Sequence, residues 1–366
     1  MRNLFIRSLA LLIIFFAALA LPSHAAEKYL FYHGYDYGSQ AVYNPLSMTI
    51  SATFDVLQIN NLTNDLSTLH LANGFENVWA NFIDPLPAVR QYGYKQFFSS
   101  EIFPLGLAGD SYQYVPNYTL HLIGGGMTYI ATAEWYEFHG YPKPRLLSGV
   151  TMAAMHFFNE ALENNAFDGP NVDPIADLWL FDPGGLVLFS FPRVAEFFAT
   201  TMHMNDWSPQ TLYYPDKHEI YNNGQKFSFK YDIPGLDRWR IFYLAGAEGI
   251  GGFSYKLTPT DDISVAAGIV AHDLRDVPNP GGARKQTVTL VYSEAIFWDR
   301  NGSLLSSLVF GGNRGYAARL NIYPGVVKVK NFSPGLIFML RKNGEFMAGI
   351  NIIHAPVGLA AKLGSF

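Results

Sequence analysis

Ionisable side chains that could do chemistry are concentrated in one stretch of the chain, between residues 156 and 182. If the beginning of this stretch is helical, His156, Glu160 and Glu163 stand at positions i, i+4 and i+7 and share one face. Glu160 would then act as a general base with His156 or Glu163 assisting, because burial and nearby like charges raise a carboxylate pKa toward the working range. These three are the candidate catalytic residues. Other candidate functional residues are His121, Glu134, Asn159, Asp173, Asp177 and Asp182.

The same residue types are metal ligands, since a histidine and carboxylates on facing helices bind divalent ions in helix bundles. Such sites carry paired Glu-x-x-His motifs, whereas this chain has a single His-x-x-x-Glu-x-x-Glu. A structural role is the competing interpretation: Asp173 and Asp182 each precede a proline, as helix-capping residues do, and the glutamates would form a solvated face. Signatures of serine hydrolases, zincins and phosphate-binding loops are absent. We therefore assign no metal and no cofactor from the sequence, and whether the chain is an enzyme stays open.

The elements that would position these residues belong to a segment of about residues 60–215 whose apolar residues follow helical spacing. Helices are predicted over Asn117–Phe138 and Arg145–Asn164, with further helix starts at Asp173-Pro174 and Asp182-Pro183. Gly124-Gly125-Gly126 falls inside the first helix and indicates close packing there. Residues 60–215 are thus interpreted as a helix-rich insertion that either plugs a barrel or lies beneath it in the periplasm.

Residues 216–366 keep a two-residue alternation that is typical of strands with one apolar and one polar face. Turn sequences rich in glycine, asparagine and proline separate the runs, which predicts an antiparallel meander. A similar alternation near the start of the mature chain predicts a first strand within residues 26–59. The clearest runs of apolar residues are Phe227, Phe229 and Tyr231; Ile263, Val265, Ala267 and Ile269; and, near the start, Ile50, Ala52, Phe54 and Val56.

The first 25 residues predict export. Arg2 and Arg7 precede an apolar run over 9–21, and Ser23-His24-Ala25 supplies the small residues that a signal peptidase requires. Residues 1–25 are therefore predicted to be a cleaved signal peptide. The chain has no cysteine, which fits an oxidising compartment and excludes thiolate metal sites and cysteine nucleophiles.

Composition favours a membrane β-barrel. Hydrophobic residues make up 49% of the chain, aromatic residues 16% and charged residues 15%, yet the mature chain has no charge-free apolar run of about 20 residues. We predict an antiparallel outer-membrane barrel of 8–12 strands that carries the helix-rich insertion. Aromatic residues near strand ends (Trp239, Trp298, Tyr316 and Tyr323) and the terminal Phe366 support it. The alternative fold is a soluble β-sandwich, which shows the same alternation.

These features restrict the partners and the function. The net charge of −5 gives no support for nucleic-acid binding. The expected partners are outer-membrane lipid and the barrel-assembly machinery, together with a small-molecule ligand that the sequence does not identify. The expected role is passage of a small or lipidic solute, or maintenance of the envelope. The alternatives are an envelope enzyme acting on lipid or cell-wall material through the histidine and glutamate residues, and a soluble periplasmic binding protein.

Several short motifs lie between Asn117 and Phe189: His121-x-x-Gly124, Trp135, Asn159-Glu160-x-x-Glu163, Asp173-Pro-Ile-Ala-Asp177-Leu and Asp182-Pro-Gly-Gly185. In these motifs the chain resembles a family of uncharacterised bacterial envelope proteins that is defined as a domain of unknown function. The resemblance covers about a fifth of the chain. It implies that these polar residues matter but brings no established activity.

Overall fold

The computed structural model describes residues 29–103, 117–165, 168–276, 286–353 and 355–365. The predicted signal peptide (1–25) and Phe366 lie outside these residues. The described chain is helical up to Thr201 and forms one large mixed sheet from Asn205 onward, so the prediction of a β-rich fold with a helix-rich segment is confirmed. None of the described helices combines the length and the apolar character needed to cross a membrane.

The helices begin and end close to the predicted positions around the candidate site. The predicted helix Asn117–Phe138 is confirmed as a π-helical turn (Asn117–Gly124) followed by helix α6 (Gly125–Phe138). The predicted helix Arg145–Asn164 is confirmed as α7 (Pro144–Glu163). A second π-helical turn, Asp177–Phe181, connects α8 (Asp173–Ala176) to α9 (Asp182–Ser190). The helices are α1 Gly38–Val42, α2 Pro45–Thr53, α3 Leu71–Ile83, α4 Pro85–Tyr92, α5 Tyr94–Phe97, α6 Gly125–Phe138, α7 Pro144–Glu163, α8 Asp173–Ala176, α9 Asp182–Ser190 and α10 Pro192–Glu196.

The strand predicted at residues 50–56 is wrong, because these residues form the end of α2 and a 3₁₀ turn, Asp55–Gln58. Asn44 caps α2: its side-chain Oδ1 accepts hydrogen bonds from the backbone N–H groups of Leu46 and Ser47 at 3.1 and 2.9 Å. Pro45 occupies the first helical position, where its missing N–H costs nothing. This helix start outweighs the strand-like alternation that follows it.

Thirteen strands form the described sheet, one more than the upper limit predicted. The strands are β1 Asn205–Asp206, β2 Leu212–Tyr214, β3 Glu219–Tyr221, β4 Phe227–Asp232, β5 Trp239–Ala245, β6 Glu248–Lys256, β7 Asp261–Asp276, β8 Gln286–Arg300, β9 Ser303–Gly311, β10 Tyr316–Ile322, β11 Gly335–Arg341, β12 Glu345–Asn351 and β13 Gly358–Ser365. From β4 to β13 each strand pairs antiparallel with the next, and β13 then pairs parallel with β2. The order is β1-β4-β5-β6-β7-β8-β9-β10-β11-β12-β13-β2-β3.

The sheet is strongly curled but does not close, since the short strands β1 and β3 end the order without pairing with each other. Strands lie about 4.8 Å apart in a sheet, so β5 and β8 would be about 14 Å apart if the sheet were flat. The rings of Phe242 on β5 and Phe297 on β8 nevertheless lie 5.4 Å apart. Likewise Asn222, just after β3, donates a 2.6 Å hydrogen bond to Asn321 on β10, five positions away in the order. These contacts cross the concave side of the sheet.

The exposed outer face of the sheet is apolar, whereas the buried inner face mixes apolar, aromatic and polar side chains. The concave inner face carries buried polar and charged groups such as Ser264 (0% exposed) and Lys230 (1%), together with aromatic residues. The convex outer face is apolar and exposed, as Phe253 (57%) and Val265 (56%) illustrate. The other large exposed apolar residues of these strands are Tyr231, Trp239, Ile241, Tyr243, Ile269, Tyr292, Ile296, Phe310, Ile350, Leu359 and Leu363.

Two of the aromatic residues expected at strand ends on the outer face do not lie there. Tyr316 and Tyr323 are buried on the inner face, and the Tyr323 hydroxyl donates a hydrogen bond to the carbonyl of Ser208 at 2.9 Å. Trp239 is exposed at the start of β5 as expected. Alternation shows which residues share a face, but position near a turn does not show which face that is.

The inner face is covered by the N-terminal segment, which had been predicted to supply a strand. Ser303 at the start of β9 donates a hydrogen bond to the carbonyl of Tyr37 at 2.9 Å, and Ser51 on α2 donates to the carbonyl of Gly224 at 3.1 Å. Val42 of α1 packs against the aromatic cluster around Trp207. Residues 37–60 therefore occupy the concave side of the sheet.

Candidate functional site

Glycine residues allow the helices around the site to approach closely. A Cβ atom on Gly126 of α6 would lie 2.7 Å from the carbonyl oxygen of Gly185 on α9, and a Cβ on Gly185 would lie 2.5 Å from the carbonyl oxygen of Leu122. A Cβ on Gly124 would lie 2.3 Å from the ring of Phe227. The close packing predicted for Gly124-Gly125-Gly126 is confirmed, and it brings the π-helical turn that carries His121 against the start of α9.

Two histidines contact one carboxylate at this junction. Nδ1 of His121 lies 2.9 Å from Oδ1 of Asp182, and Nδ1 of His156 on α7 lies 3.1 Å from the same oxygen. The two imidazole rings are 5.3 Å apart, centroid to centroid. Asp182 is hydrogen-bonded to His121 and lies within ion-pair distance of His156, and neither contact uses the Nε2 atom of the rings.

Two further carboxylates lie on the other side of His121. Its Nε2 atom is 3.8 Å from Oδ2 of Asp177, the first residue of the π-helical turn between α8 and α9. Glu160 on α7 also reaches this point, so that one ligand atom from each of His121, Glu160 and Asp177 lies within 4.8 Å of the others. Glu160 and Asp177 are both buried.

Burial and charge shift the pKa values of these groups in opposite directions. Burial alone would lower the pKa of His121, but the charge and the hydrogen bond of Asp182 outweigh it and raise the pKa to about 9. Burial lowers the pKa of His156 to about 4 despite Asp182, and the neighbouring His121 adds to this effect. Burial raises the pKa values of Glu160 and Asp177 well above the usual range, and the charge of Asp173 raises both further. The charge of Asp177 also raises the pKa of Glu160, and that of Asp182 raises the pKa of Asp177.

Three buried polar atoms of this cluster have no hydrogen-bond partner among the described residues. They are Nε2 of His156, Oδ1 of Asp177 and Oδ2 of Asp182. Buried polar atoms are nearly always paired, since leaving one unpaired costs on the order of 1–3 kcal/mol. Unpaired atoms on three adjacent residues therefore indicate that the cluster is built to contact something beyond these side chains.

A chain of asparagine amides, which no sequence pattern indicates, extends the cluster toward α3. The Asn164 side chain donates to the backbone carbonyl of Glu160 at 2.8 Å, and Asn171 donates to Asn164 Oδ1. The backbone N–H of Asn171 in turn donates to Oδ1 of Asn81 at 3.1 Å. Asparagine is common in turns, so only the fold distinguishes these residues from ordinary turn residues.

The remaining candidates lie outside this cluster. Glu134 accepts hydrogen bonds from the backbone N–H groups of Leu30, Phe31 and Tyr32 at 2.7–2.8 Å and so anchors the N-terminal segment. Asn159 donates to the carbonyl of Ala52 at 2.9 Å.

Glu163 and Asp173 are half-buried and affect the cluster through their charge. The helix-capping role predicted for Asp173 and Asp182 is wrong. Each aspartate is the first residue of its helix and not the capping residue before it, because the backbone of Val172 and of Phe181 is already helical.

The structure therefore brings together residues from four helical elements: His121, His156, Glu160, Asp177 and Asp182. Such a buried group of imidazoles and carboxylates can exchange protons or hold a cation. No protein-family model, curated protein or solved structure matches the chain significantly.

Proposed function

We propose that the chain is an integral outer-membrane protein whose curled sheet lies with its convex face in lipid. The observation that carries this proposal is the exposed apolar outer face of the sheet. Antiparallel sheets of water-soluble proteins bury their apolar face and expose the polar one, whereas membrane barrels expose the apolar face to lipid.

The apolar residues form continuous rows across the outer face, because the register of the strands places them opposite one another. Ile241 pairs with Phe253, Phe253 with Val265, and Val265 with Ile296. A contiguous apolar surface of this kind is rare on soluble monomers and marks contact with lipid or protein. Glu294, exposed on β8 opposite Ala267 and Phe310, is the acidic exception on this part of the face.

Helix α3 supports the same assignment for the helix-rich segment. Its exposed residues Leu71, Phe75, Trp79 and Ile83 recur every four residues and form an apolar stripe. The opposite, buried face of α3 contains polar and small residues, including Gly74 and Asn77. A helix that exposes its apolar face, with tryptophan on it, fits the boundary between lipid and water.

The filled concave side supports a role other than an open diffusion pore. Residues 37–60 and the aromatic cluster around Trp207 occupy that side, and Lys230 pairs there with Asp262 and Asp299. Maintenance of the envelope or handling of a lipidic solute accounts for this packing better than passive passage of solutes does.

Cell fractionation tests the membrane proposal. The full chain is expressed with its N-terminal segment, and outer membranes are run on gels with and without boiling. We expect the protein in the outer-membrane fraction, with a band that migrates differently after boiling because a membrane-type sheet resists detergent at room temperature. A protein found in the soluble fraction, with a band that does not shift, would contradict the proposal.

A second candidate function is an envelope enzyme, and the buried His121–Asp182–His156 contact favours it. The enzyme would act on lipid or cell-wall material, with Glu160 as general base oriented beside Asp177. Purified protein is incubated with phospholipid vesicles and with isolated peptidoglycan, and the released products are measured. This candidate requires Glu160→Gln to abolish a hydrolytic activity that Glu137→Gln, on the exposed end of α6, retains. Absence of activity on both substrates would leave only the non-enzymatic role.

A further inference from the structure

We propose that His121, Glu160 and Asp177 bind one divalent transition-metal ion, with Asp182 holding His121 in the liganding orientation. This inference does not depend on the membrane proposal, because all four residues belong to the helix-rich segment. It also differs from the enzyme candidate, because it makes Glu160 a ligand rather than a free base.

The separation of the ligand atoms favours an ion over a direct hydrogen bond. The 3.8 Å between Nε2 of His121 and Oδ2 of Asp177 is too long for a hydrogen bond. Metal ions of this class lie about 2.0–2.2 Å from nitrogen and oxygen ligands, so two ligands of one ion can be up to about 4.2 Å apart. Small side-chain rotations would bring Glu160, whose ligand atom lies within 4.8 Å, to the same ion.

The charge of the cluster requires a cation or added protons. Three buried carboxylates (Glu160, Asp177 and Asp182) face two imidazoles, and no lysine or arginine among the described residues forms an ion pair with them. Burying unpaired carboxylates is costly, and the Oδ1 atom of Asp177 and the Oδ2 atom of Asp182 have no hydrogen-bond partner. A divalent ion would neutralise most of this charge at one point.

The donors and their surroundings indicate the class of ion. One imidazole nitrogen and two carboxylates form a mixed set that suits Zn²⁺, Mn²⁺, Fe²⁺ or Co²⁺, whereas Mg²⁺ and Ca²⁺ prefer oxygen ligands alone. A histidine ligand normally donates its other ring N–H to a carboxylate, which fixes the tautomer. Asp182 supplies that carboxylate, because its Oδ1 atom lies 2.9 Å from Nδ1 of His121.

The backbone positions the ligands on two π-helical turns and one helix. His121 lies in the turn Asn117–Gly124, Asp177 begins the turn Asp177–Phe181, and Glu160 is in the last turn of α7. Wide turns of this kind within helices are frequent at functional sites, since they redirect a side chain without ending the helix.

Titration with Co²⁺ tests the proposal, because its visible spectrum reports the ligands that bind it. The full chain is stripped with a chelator, in detergent if the protein is membrane-bound and in buffer if it is soluble. We expect one equivalent of Co²⁺ to bind per chain and to be displaced by Zn²⁺ but not by equal concentrations of Mg²⁺ or Ca²⁺. A wild-type protein that binds no Co²⁺ would overturn the proposal.

Isosteric variants identify the ligands. We expect Asp177→Asn and Glu160→Gln to weaken Co²⁺ binding at least tenfold, and Asp182→Asn to weaken it about 10–100-fold through loss of orientation. Glu137→Gln, a matched change on an exposed residue, should bind like the wild type. Affinity in Asp177→Asn equal to that of the wild type would overturn the assignment.

Thermal melting of the same variants separates metal binding from folding. Because Asp177→Asn and Glu160→Gln each remove a buried charge, we expect them to melt without metal at or above the wild-type temperature. Zn²⁺ should raise the melting temperature of the wild type and of Glu137→Gln, but not of the two ligand variants. An equal rise in all four proteins would place the ion elsewhere and overturn the proposal.

Discussion

Lys230 on β4 and Asp299 on β8 form an ion pair on the inner face of the sheet, with both side chains almost completely removed from solvent. These strands would be about 19 Å apart in a flat sheet, since three strands lie between them in the order. The same ammonium group lies 2.9 Å from Asp262 on β7. The pair therefore holds the sheet in its curled form and places a charged centre inside it.

Replacing Lys230 by methionine should destabilise the protein by about 3–5 kcal/mol, because the buried Asp299 loses its cation and Asp262 keeps only Arg240. Unfolding in urea, in detergent or lipid, measures the change. Lys256→Met is the matched control, since Lys256 pairs with the exposed Asp232 at 2.8 Å and such pairs contribute about 0–1 kcal/mol. Equal losses in the two variants would show that Lys230 is not a structural centre.

Val265→Arg distinguishes lipid from water on the outer face. In the middle of a lipid-facing strand, arginine should destabilise the protein by about 2–4 kcal/mol, whereas on a water-exposed surface the change should stay within about 0.5 kcal/mol. Leu257→Arg makes a similar change just beyond β6, where lipid would give way to the interface and the cost should be about 0–1 kcal/mol. Unfolding from lipid vesicles measures both, and a negligible effect at Val265 would contradict a lipid-facing sheet.

Gly126→Ala should destabilise the protein by about 1–3 kcal/mol, because the new methyl group would meet the Gly185 carbonyl at 2.7 Å and the Phe189 ring. Gly149→Ala provides the control in the neighbouring helix α7. A Cβ on Gly149 meets nothing within 4 Å, so this change should stabilise the helix by about 0.5–1 kcal/mol. Thermal or urea unfolding measures both changes, and the same sign in both variants would refute the close contact of α6 with α9.

Asp55 should make stability depend on pH. Burial raises its pKa from 3.8 to about 7. The charge of Glu248 raises this pKa further, whereas the charges of Lys226 and His121 lower it. Because the folded state holds this proton more tightly than the unfolded state, the contribution to stability is complete below about pH 4 and is lost as pH rises through 7. The loss should be on the order of 4 kcal/mol between these limits.

Asp55→Asn should remove this dependence without removing contacts. Gln225 N–H and the Gln58 amide both donate to Oδ1 of Asp55, at 2.7 and 3.0 Å, and an asparagine carbonyl oxygen can accept both. Unfolding free energies are compared at pH 5 and pH 8. A variant whose stability falls with pH as steeply as that of the wild type would rule out Asp55 as the titrating group.

Glu134→Ala should release the N-terminal segment, because three backbone N–H groups lose their acceptor. We expect a loss of about 2–4 kcal/mol and faster cleavage by protease near residue 30. Glu137→Ala, one turn further along α6 and exposed, should change neither quantity by more than about 0.5 kcal/mol. If the N-terminal segment of Glu134→Ala resists the protease as well as that of the wild type, Glu134 does not anchor the segment and is again a candidate functional residue.

Local sequence signals predicted the elements of this fold better than their arrangement. Helix α7 follows its prediction within one residue at each end, because Pro144 and the Asp168-Gly169-Pro170 turn mark its limits. The alternation over residues 226–232 and 263–269 likewise identified strands and the residues that share a face. The strand predicted from Ile50 to Val56 was wrong because the alternation was short and the helix start at Asn44-Pro45 outweighed it.

The candidate site was predicted only in part, for reasons of distance along the chain. His156 and Glu160 were placed on one helical face by spacing alone, and both belong to the cluster. His121 and Asp182 are 61 residues apart and meet only because Gly126 and Gly185 let two helices touch. No periodicity carries that information, and the capping role predicted for Asp182 failed for the same reason.

The parallel pairing of β13 with β2 has a consequence for the order of folding. Strand β2 is synthesised about 145 residues before β13, yet β13 connects β2 and β3 to the rest of the sheet. Contacts between segments so distant along the chain form late, since a long loop must first be closed. The hairpin formed by β2 and β3 must therefore remain unattached to the sheet until β13 has been synthesised.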